Sequence, residues 1–383
     1  MPGENNIREY EEYVFIVGAE GKYPIIEGKL NLAGDFYYDN RHGPPVFTLR
    51  QLSDIIGLEH LEHLRELNLT NNDISDIWGF TRFKNLETLE KLILWGNHIT
   101  EIKGLDRFAN LRELDFQGNR LTAIGGLENL SALQILDLSS NHIEEIQGLS
   151  SLANLQVLDL NHNHITEIKG LEALSNLQKL DLSHNQAFCS YKDHLNSEGR
   201  APNPIIKREF EGREIFKEEG LTELLGLIDI VHNRDRSESN HFHEGYRNAK
   251  RLDEIRGLEC LTNLKELVIG NNKIRDIKGL ETLCNLQKLD LSYNRITTLK
   301  GLEHLENLKY LLLSCNEIRD LEVIECLTSL TILRLSSNRI TSLPDSLIKL
   351  PNLKRLHLKR NPLKEDAIVI LNKLRERGIE CYY

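Results

Sequence analysis

Leucine and isoleucine recur along this chain in one fixed frame. In "LQVLDLNHNHITEIKGL" the apolar positions are Leu155, Val157, Leu158, Leu160, Ile165, Ile168 and Leu171, and polar residues fill most of the rest. The frame returns as "LRELNLTNNDISDIWGF", "LEKLILWGNHITEIKGL", "LRELDFQGNRLTAIGGL", "LQILDLSSNHIEEIQGL" and "LQKLDLSHN". Each "LxL" alternates with period two, the signature of a short strand whose leucines share one face. A single unit of this size cannot bury its leucines, so neighbouring units must stack into one continuous core.

An asparagine marks every unit. Asn72, Asn97, Asn119, Asn141, Asn163 and Asn185 are separated by 25 and then four times by 22 residues. A second run, Asn272, Asn294, Asn316, Asn338 and Asn361, has spacings of 22, 22, 22 and 23. Seven residues after the asparagine comes "GLE" or a close variant: Gly126, Gly170, Gly279 and Gly301 begin GLE, Gly104 begins GLD and Gly148 begins GLS, while Gly57 and Gly257 begin GLE where the asparagine is missing.

This pattern, L-x-x-L-x-L-x-x-N-x-I-x-x-I-x-G-L, resembles the leucine-rich repeat, in the 22-residue class found in the family of protein phosphatase 1 regulatory subunit 7. The resemblance covers residues 50–185 and 251–363. It implies an α/β leucine-rich-repeat solenoid: a curved, parallel β-sheet on the concave side, short helical or 3₁₀ segments on the convex side, and a cap at each end. The asparagine side chain would bond neighbouring backbone where the chain leaves the strand, which accounts for a polar residue in a core position. The glycine would begin the convex segment, where a side chain would crowd the turn. Bacterial internalins share the period but are secreted, and "MPGENNIREYEEYVFIVGAE" lacks the basic and apolar regions of a secretory leader.

The irregular parts set the boundaries. Residues 1–49 are expected to form a β-rich N-terminal cap, with "EYVFIV" and "YPIIEGKLNLAG" as strands and "KLNLAGD" as a degenerate first unit. Repeats fill 50–185 and 251–363. Between them, 186–250 is an insertion, and "LLGLIDIVHN" suggests one degenerate repeat at 225–233 inside it. Residues 364–383 are expected to form a capping helix and tail, with Ala367, Ile368, Ile370, Leu371 and Leu374 on one face and Gly378 as the stop.

If the strand leucines point inward, the residues two, four and six before each asparagine display on the concave face. Four before it stand Asp115, Asp137, Asp159 and Asp181, with Asp229, Val268 and Asp290 following. Strands about 4.8 Å apart would make the first four a negative ladder able to dock a basic partner surface. The plain alternative is that "LDLS" is common consensus in this repeat class. Ile93, Trp95, Tyr293, Tyr310, Leu312 and Val268 depart from consensus and would place apolar or aromatic groups on the same face, the residue types that dominate interface hot spots. Arg334, Arg355, His357 and Lys359 would form a basic patch or a solvated edge at the C-terminal end.

Composition narrows the function. The chain has 383 residues, is 40% hydrophobic and carries a net charge of −11, which matches neither nucleic acid nor an anionic membrane. No apolar run is long enough for a membrane span. Cys189, Cys260, Cys284, Cys315, Cys326 and Cys381 have no CxxC spacing and are expected to be free thiols in the cytoplasm. Phosphate-loop, GxSxG and HExxH motifs are missing, so no cofactor or catalytic residue is expected. The leading expectation is a non-catalytic protein-binding scaffold, with a serine/threonine phosphatase as the partner that the resemblance implies. Two alternatives stand beside it. One is an enzyme or metal site in the insertion, where "HFHE" supplies His241, His243 and Glu244 near Cys189, His194 and His232. The other is an adaptor in a small-GTPase assembly. The "NHNH" stretch itself resolves into columns: His162, His184 and His232 precede the frame asparagine, and His98, His142 and His164 follow it. Imidazoles near Asp159 and Asp181 would titrate around pH 6–7 and make that rim pH-sensitive.

Overall fold

The computed structural model describes residues 13–17, 22–34, 48–185 and 252–383. The chain forms two compact units, Met1–Ala187 with Arg251–Tyr383, and Phe188–Lys250. All described residues belong to the first. The expected degenerate unit at 225–233 and the "HFHE" group lie outside the described residues.

The cap begins with β1 (Tyr13–Ile16), β2 (Tyr23–Pro24) and β3 (Lys29–Asn31), followed by β4 (Ile55–Ile56). β1 pairs antiparallel with both β2 and β4. Each repeat then contributes one three-residue strand: β5 (Glu66–Asn68), β6 (Lys91–Ile93), β7 (Glu113–Asp115), β8 (Ile135–Asp137), β9 (Val157–Asp159) and β10 (Lys179–Asp181). The second run gives β11 (Glu266–Val268), β12 (Lys288–Asp290), β13 (Tyr310–Leu312), β14 (Ile332–Arg334) and β15 (Arg355–His357), and the tail adds β16 (Glu380–Tyr382). β3 and the strands from β5 to β16 make one 13-stranded sheet. β3 is its first rung, paired in parallel with β5.

The sheet is unbroken across the insertion. β10 pairs directly with β11, with Asp181 opposite Val268. The two runs of repeats are therefore direct neighbours in the sheet. The frame explains this. Leu252 does for Asn272 what Leu121 does for Asn141: its carbonyl accepts the N–H of the residue after the asparagine. Asn185 and Leu252 thus stand where an ordinary unit has two residues separated by one.

Two side-chain columns carry the stacking. Each frame asparagine bonds backbone on both sides of itself. Asn163 is fully buried; its Nδ2 donates to the carbonyls of Leu138, Leu160 and Asn161, and its Oδ1 accepts the N–H of Ile143. The arrangement repeats from Asn72 to Asn361. The exception is Asn272, whose buried Oδ1 has no partner among the described residues, at the unit where the chain re-enters the array. The glycine column packs on carbonyls. Gly170 has φ +74, and a Cβ there would sit 2.3 Å from the Ile146 carbonyl oxygen, so glycine is required both by conformation and by space. Val323 occupies the same place in its own unit and takes φ 62 without being glycine.

The convex side contains little helix. Its segments are mostly turns, with 3₁₀ turns near the N-terminal end and at Ile324–Cys326. Among the described residues, only the last full unit has an α-helical turn, α1 (Ser346–Lys349), and α2 (Glu365–Glu376) closes the core. α2 buries Ala367, Ile370, Leu371 and Leu374, and Gly378 ends it with φ 82.

Candidate protein-binding face

In most repeat strands the middle leucine is buried and the flanking residues are partly exposed, so positions six and four before the asparagine face outward, whereas Asp181 and Val268 at position four are buried. In-register parallel pairing puts Asp115, Asp137, Asp159 and Asp181 on adjacent strands in one row. Like charges directly opposite one another are destabilising. Burial pushes all four carboxyls up. Asp115 reaches about 7, with Asp137 adding to the effect, and Asp181 about 6. Asp159 is raised well above its usual value by burial and by Asp181 and Asp137, and Asp137 is raised by burial.

These aspartates also do structural work. The Oδ1 of each accepts the backbone N–H two residues on, at Gln117, Ser139, Asn161 and Ser183. Ser139 and Ser183 add their hydroxyls, and Asn161 adds its side-chain amide. The D-x-S and D-x-N pairs therefore cap the strand exit, which is why "LDLS" recurs. Asp290 does the same with Ser292. Asp181 is fully buried rather than displayed, and its Oδ2 has no hydrogen-bond partner.

The other site candidates divide. Ile93, Tyr310, Leu312 and Arg334 hold outward strand positions and are half-buried. Val268 is not exposed: it is 3% accessible, between Asp181 and Asp290 in the row. Trp95 lies just past its strand and is half-buried, with its indole edge against Gly118 of the next unit. Tyr293 is out of strand register. It immediately precedes Asn294, has φ 59 and is 40% exposed at the strand exit. At the C-terminal end the Nε of Arg355 donates to Glu380, and His357 stacks on Tyr382 with ring centres 4.5 Å apart.

Sequence reasoning missed the conformation of the strand exit. The residue before every described frame asparagine from Asn72 onward is left-handed: Asn71, Gly96, Gly118, Ser140, His162, His184, Asn271, Tyr293, Cys315, Ser337 and Arg360. Asparagine and glycine at Asn71, Gly96, Gly118 and Asn271 were the available signal. The histidines fall into two stacked pairs on this rim. His162 and His184 lie 4.2 Å apart in this column, and His142 Nδ1 is 3.2 Å from His164 Nε2 in the next. Burial pulls His142 below its ordinary value, with His164 and Arg120 adding to it, and burial does the same to His162. Among the described residues, no group of three or more His, Cys, Asp or Glu side chains is placed to hold a metal ion. The opposite edge of the sheet carries a shallow polar groove lined by glutamines and asparagines such as Gln134, Gln156, Asn154 and Asn176.

A stacked array of single-strand units with an asparagine column and a glycine column defines a leucine-rich repeat solenoid. Models of "Leucine Rich repeats (2 copies)" match residues 109–151, 153–193 and 328–369, and "Leucine rich repeat" models match 262–318, 284–340 and 60–77. The chain belongs to the leucine-rich repeat proteins. No curated protein matches it. Among solved structures it is similar to an internalin from Listeria monocytogenes, with 21% identity over 93% of this chain and 86% of that one and a TM-score of 0.62. The functional domain of InlJ from Listeria monocytogenes is 23% identical over 81% of this chain and 52% of that one, with a TM-score of 0.55. A chain of the LRIM1/APL1C complex is 18% identical over 81% and 47%, with a TM-score of 0.53. The chain spans about half the length of the latter two, and these identities speak for the fold alone.

Proposed function

We propose that the protein is a non-catalytic scaffold that binds a protein partner across the concave face. The observation that carries this is the outward row of the sheet. Half-buried Ile93 and Trp95 lie at one end of it, half-buried Tyr310 and Leu312 at the other, and half-buried Asp115, Asp137 and Asp159 between them. Aromatic and apolar anchors around a charged centre suit recognition of a basic protein surface. The finer form of the proposal is a regulatory subunit of a serine/threonine phosphatase in the cytoplasm. It is supported by the 22-residue frame with its GLE tripeptides and by the free thiols of Cys260, Cys284, Cys315, Cys326 and Cys381. Affinity capture with the wild type and with a Trp95→Ala/Tyr310→Ala variant tests the face: the variant should lose specific partners, and identical partner sets reject it. Calorimetric titration with a purified phosphatase catalytic subunit tests the finer form, and absence of heat at micromolar concentration rejects that form alone.

A further inference from the structure

The N-terminal cap carries an apolar surface that the repeats do not. In β1, Val14 and Ile16 point into the core while Tyr13 and Phe15 are exposed, and Val17 continues the outer face at 59% exposure. Phe15 stands opposite Ile56 of β4 in the antiparallel register, and Ile56 is 51% exposed. Ile56 immediately precedes Gly57 of the glycine column. In the next unit that place is taken by Trp78, before Gly79, and Trp78 is 57% exposed. From Lys103 to Lys300 the same place holds only lysine, arginine, glutamine or glycine. The two apolar exceptions are thus consecutive, and the first adjoins β1.

We infer that this patch is a two-fold interface between two copies of the chain. Tyr13, Phe15, Val17, Ile56 and Trp78 together expose roughly 500 Å² of side chain, the size of patch that marks an interaction site on a folded domain. Two copies bury about 1,000 Å² of it, the area at which a specific interface becomes stable, before any rim is counted. The patch is also complementary to itself. Its centre is uncharged. Beyond Tyr13 stands Lys22, whose ammonium lies 4.0 Å from the ring centre of Tyr13. Beside Trp78 stands Asp76, whose Oδ1 accepts the Trp78 N–H at 2.6 Å. Neither Lys22 nor Asp76 has an ion-pair partner among the described residues. A dyad through Phe15 and Ile56 brings Lys22 of each copy to Asp76 of the other, as an isologous interface requires. At the outer strand β2, edge-to-edge sheet extension, another route to a dimer, is disfavoured by Pro24.

Sedimentation velocity on the full chain, from about 1 to about 100 µM, reads the association. The wild type should dimerise within that range. Phe15→Asp should weaken association at least about tenfold, with thermal unfolding by circular dichroism unchanged to within a few degrees. Lys22→Glu and Asp76→Arg should each weaken it, and the double variant should restore it, because the swapped charges again face each other. A wild type that stays monomeric at about 100 µM overturns the inference and leaves the patch to another occupant. Self-association indifferent to Phe15→Asp, or a double variant no better than the singles, overturns it as well.

Discussion

Replacing Asn163 with alanine tests the account of what holds the units together. The three carbonyls that take its Nδ2 protons each keep a second donor. Leu138 retains Asn141 Nδ2, Leu160 retains Asn185 Nδ2, and Asn161 retains the N–H of Ser140. The N–H of Ile143 has no substitute; its hydrogen bond to Asn163 Oδ1 at 3.0 Å is replaced by nothing. One orphaned buried donor costs about 1–3 kcal/mol, and three weakened acceptors with a small cavity bring the loss to about 3–4 kcal/mol. Asn176, on the opposite edge, is exposed and makes one bond to the Ala153 carbonyl, so Asn176→Ala should cost under about 1 kcal/mol. Asn163→Asp separates donor from acceptor. Its Oδ1 still accepts from Ile143, but a carboxylate oxygen now faces three carbonyls at 2.9, 3.1 and 3.2 Å. Burial and these dipoles favour the protonated acid, so the folded-state pKa is raised, and the penalty should shrink as pH falls from 7.5 towards 4. Urea unfolding followed by far-ultraviolet circular dichroism at both pH values reads all three variants. Equal costs for Asn163→Ala and Asn176→Ala, or a pH-independent cost for Asn163→Asp, would refute the reasoning.

Gly170→Ala should cost about 2–3 kcal/mol from its positive φ and the Ile146 carbonyl, whereas Gly125→Ala, with nothing within 4 Å of its Cβ, should be neutral or stabilising in the same melts. The aspartate row gives a pH dependence of defined sign. With folded-state pKa values raised to about 7 at Asp115 and about 6 at Asp181, the folded state binds more protons than the unfolded one above pH 3.8. Its contribution to stability therefore falls as pH rises from about 4 to about 7, and Asp115→Asn should remove part of that slope in urea titrations. His142 and His162, lowered from 6.5, act the other way as pH drops below that value, and His162→Gln should leave stability flatter on the acid side. Deleting 186–250 leaves Asn185-Arg251-Leu252, which restores 22 residues between Asn185 and Asn272, so the shortened chain should still unfold cooperatively. Loss of the transition would contradict the direct pairing of β10 with β11.

Residues that do the same job in every unit are legible in the amino-acid sequence itself. Asn163 and Gly170 repeat on a fixed count, and the leucine between each outward pair must be buried for the units to stack. The concave face is legible only as far as the strand runs. Strands last three residues, so Tyr293, one place before its asparagine, has already turned out of register. Asp181 and Val268 are outward by count, yet buried. The capping role of the aspartates is present in pairs such as Asp137 with Ser139, but a two-residue spacing in a strand reads first as a shared face. The break between Asn185 and Asn272 is 87 residues, close to four units, and this hides the direct pairing of β10 with β11. Of the cap, the alternation of Tyr13 to Val17 is readable; which side meets water depends on the partner strand β4.

The left-handed residue before each frame asparagine has its backbone held from both sides. Its own N–H donates to the next unit, as Ser140 does to Asn161 and His162 to Ser183, and the following asparagine anchors the exit. The scaffold thus dictates the turn and leaves the side chain undetermined. In order the column holds Asn, Gly, Gly, Ser, His, His, then Asn, Tyr, Cys, Ser and Arg. Apart from places where neighbours touch, as His162 stacks on His184 and His184 meets Asn271, residues of this line can change singly, so binding preference along the rim can drift while the architecture stays the same.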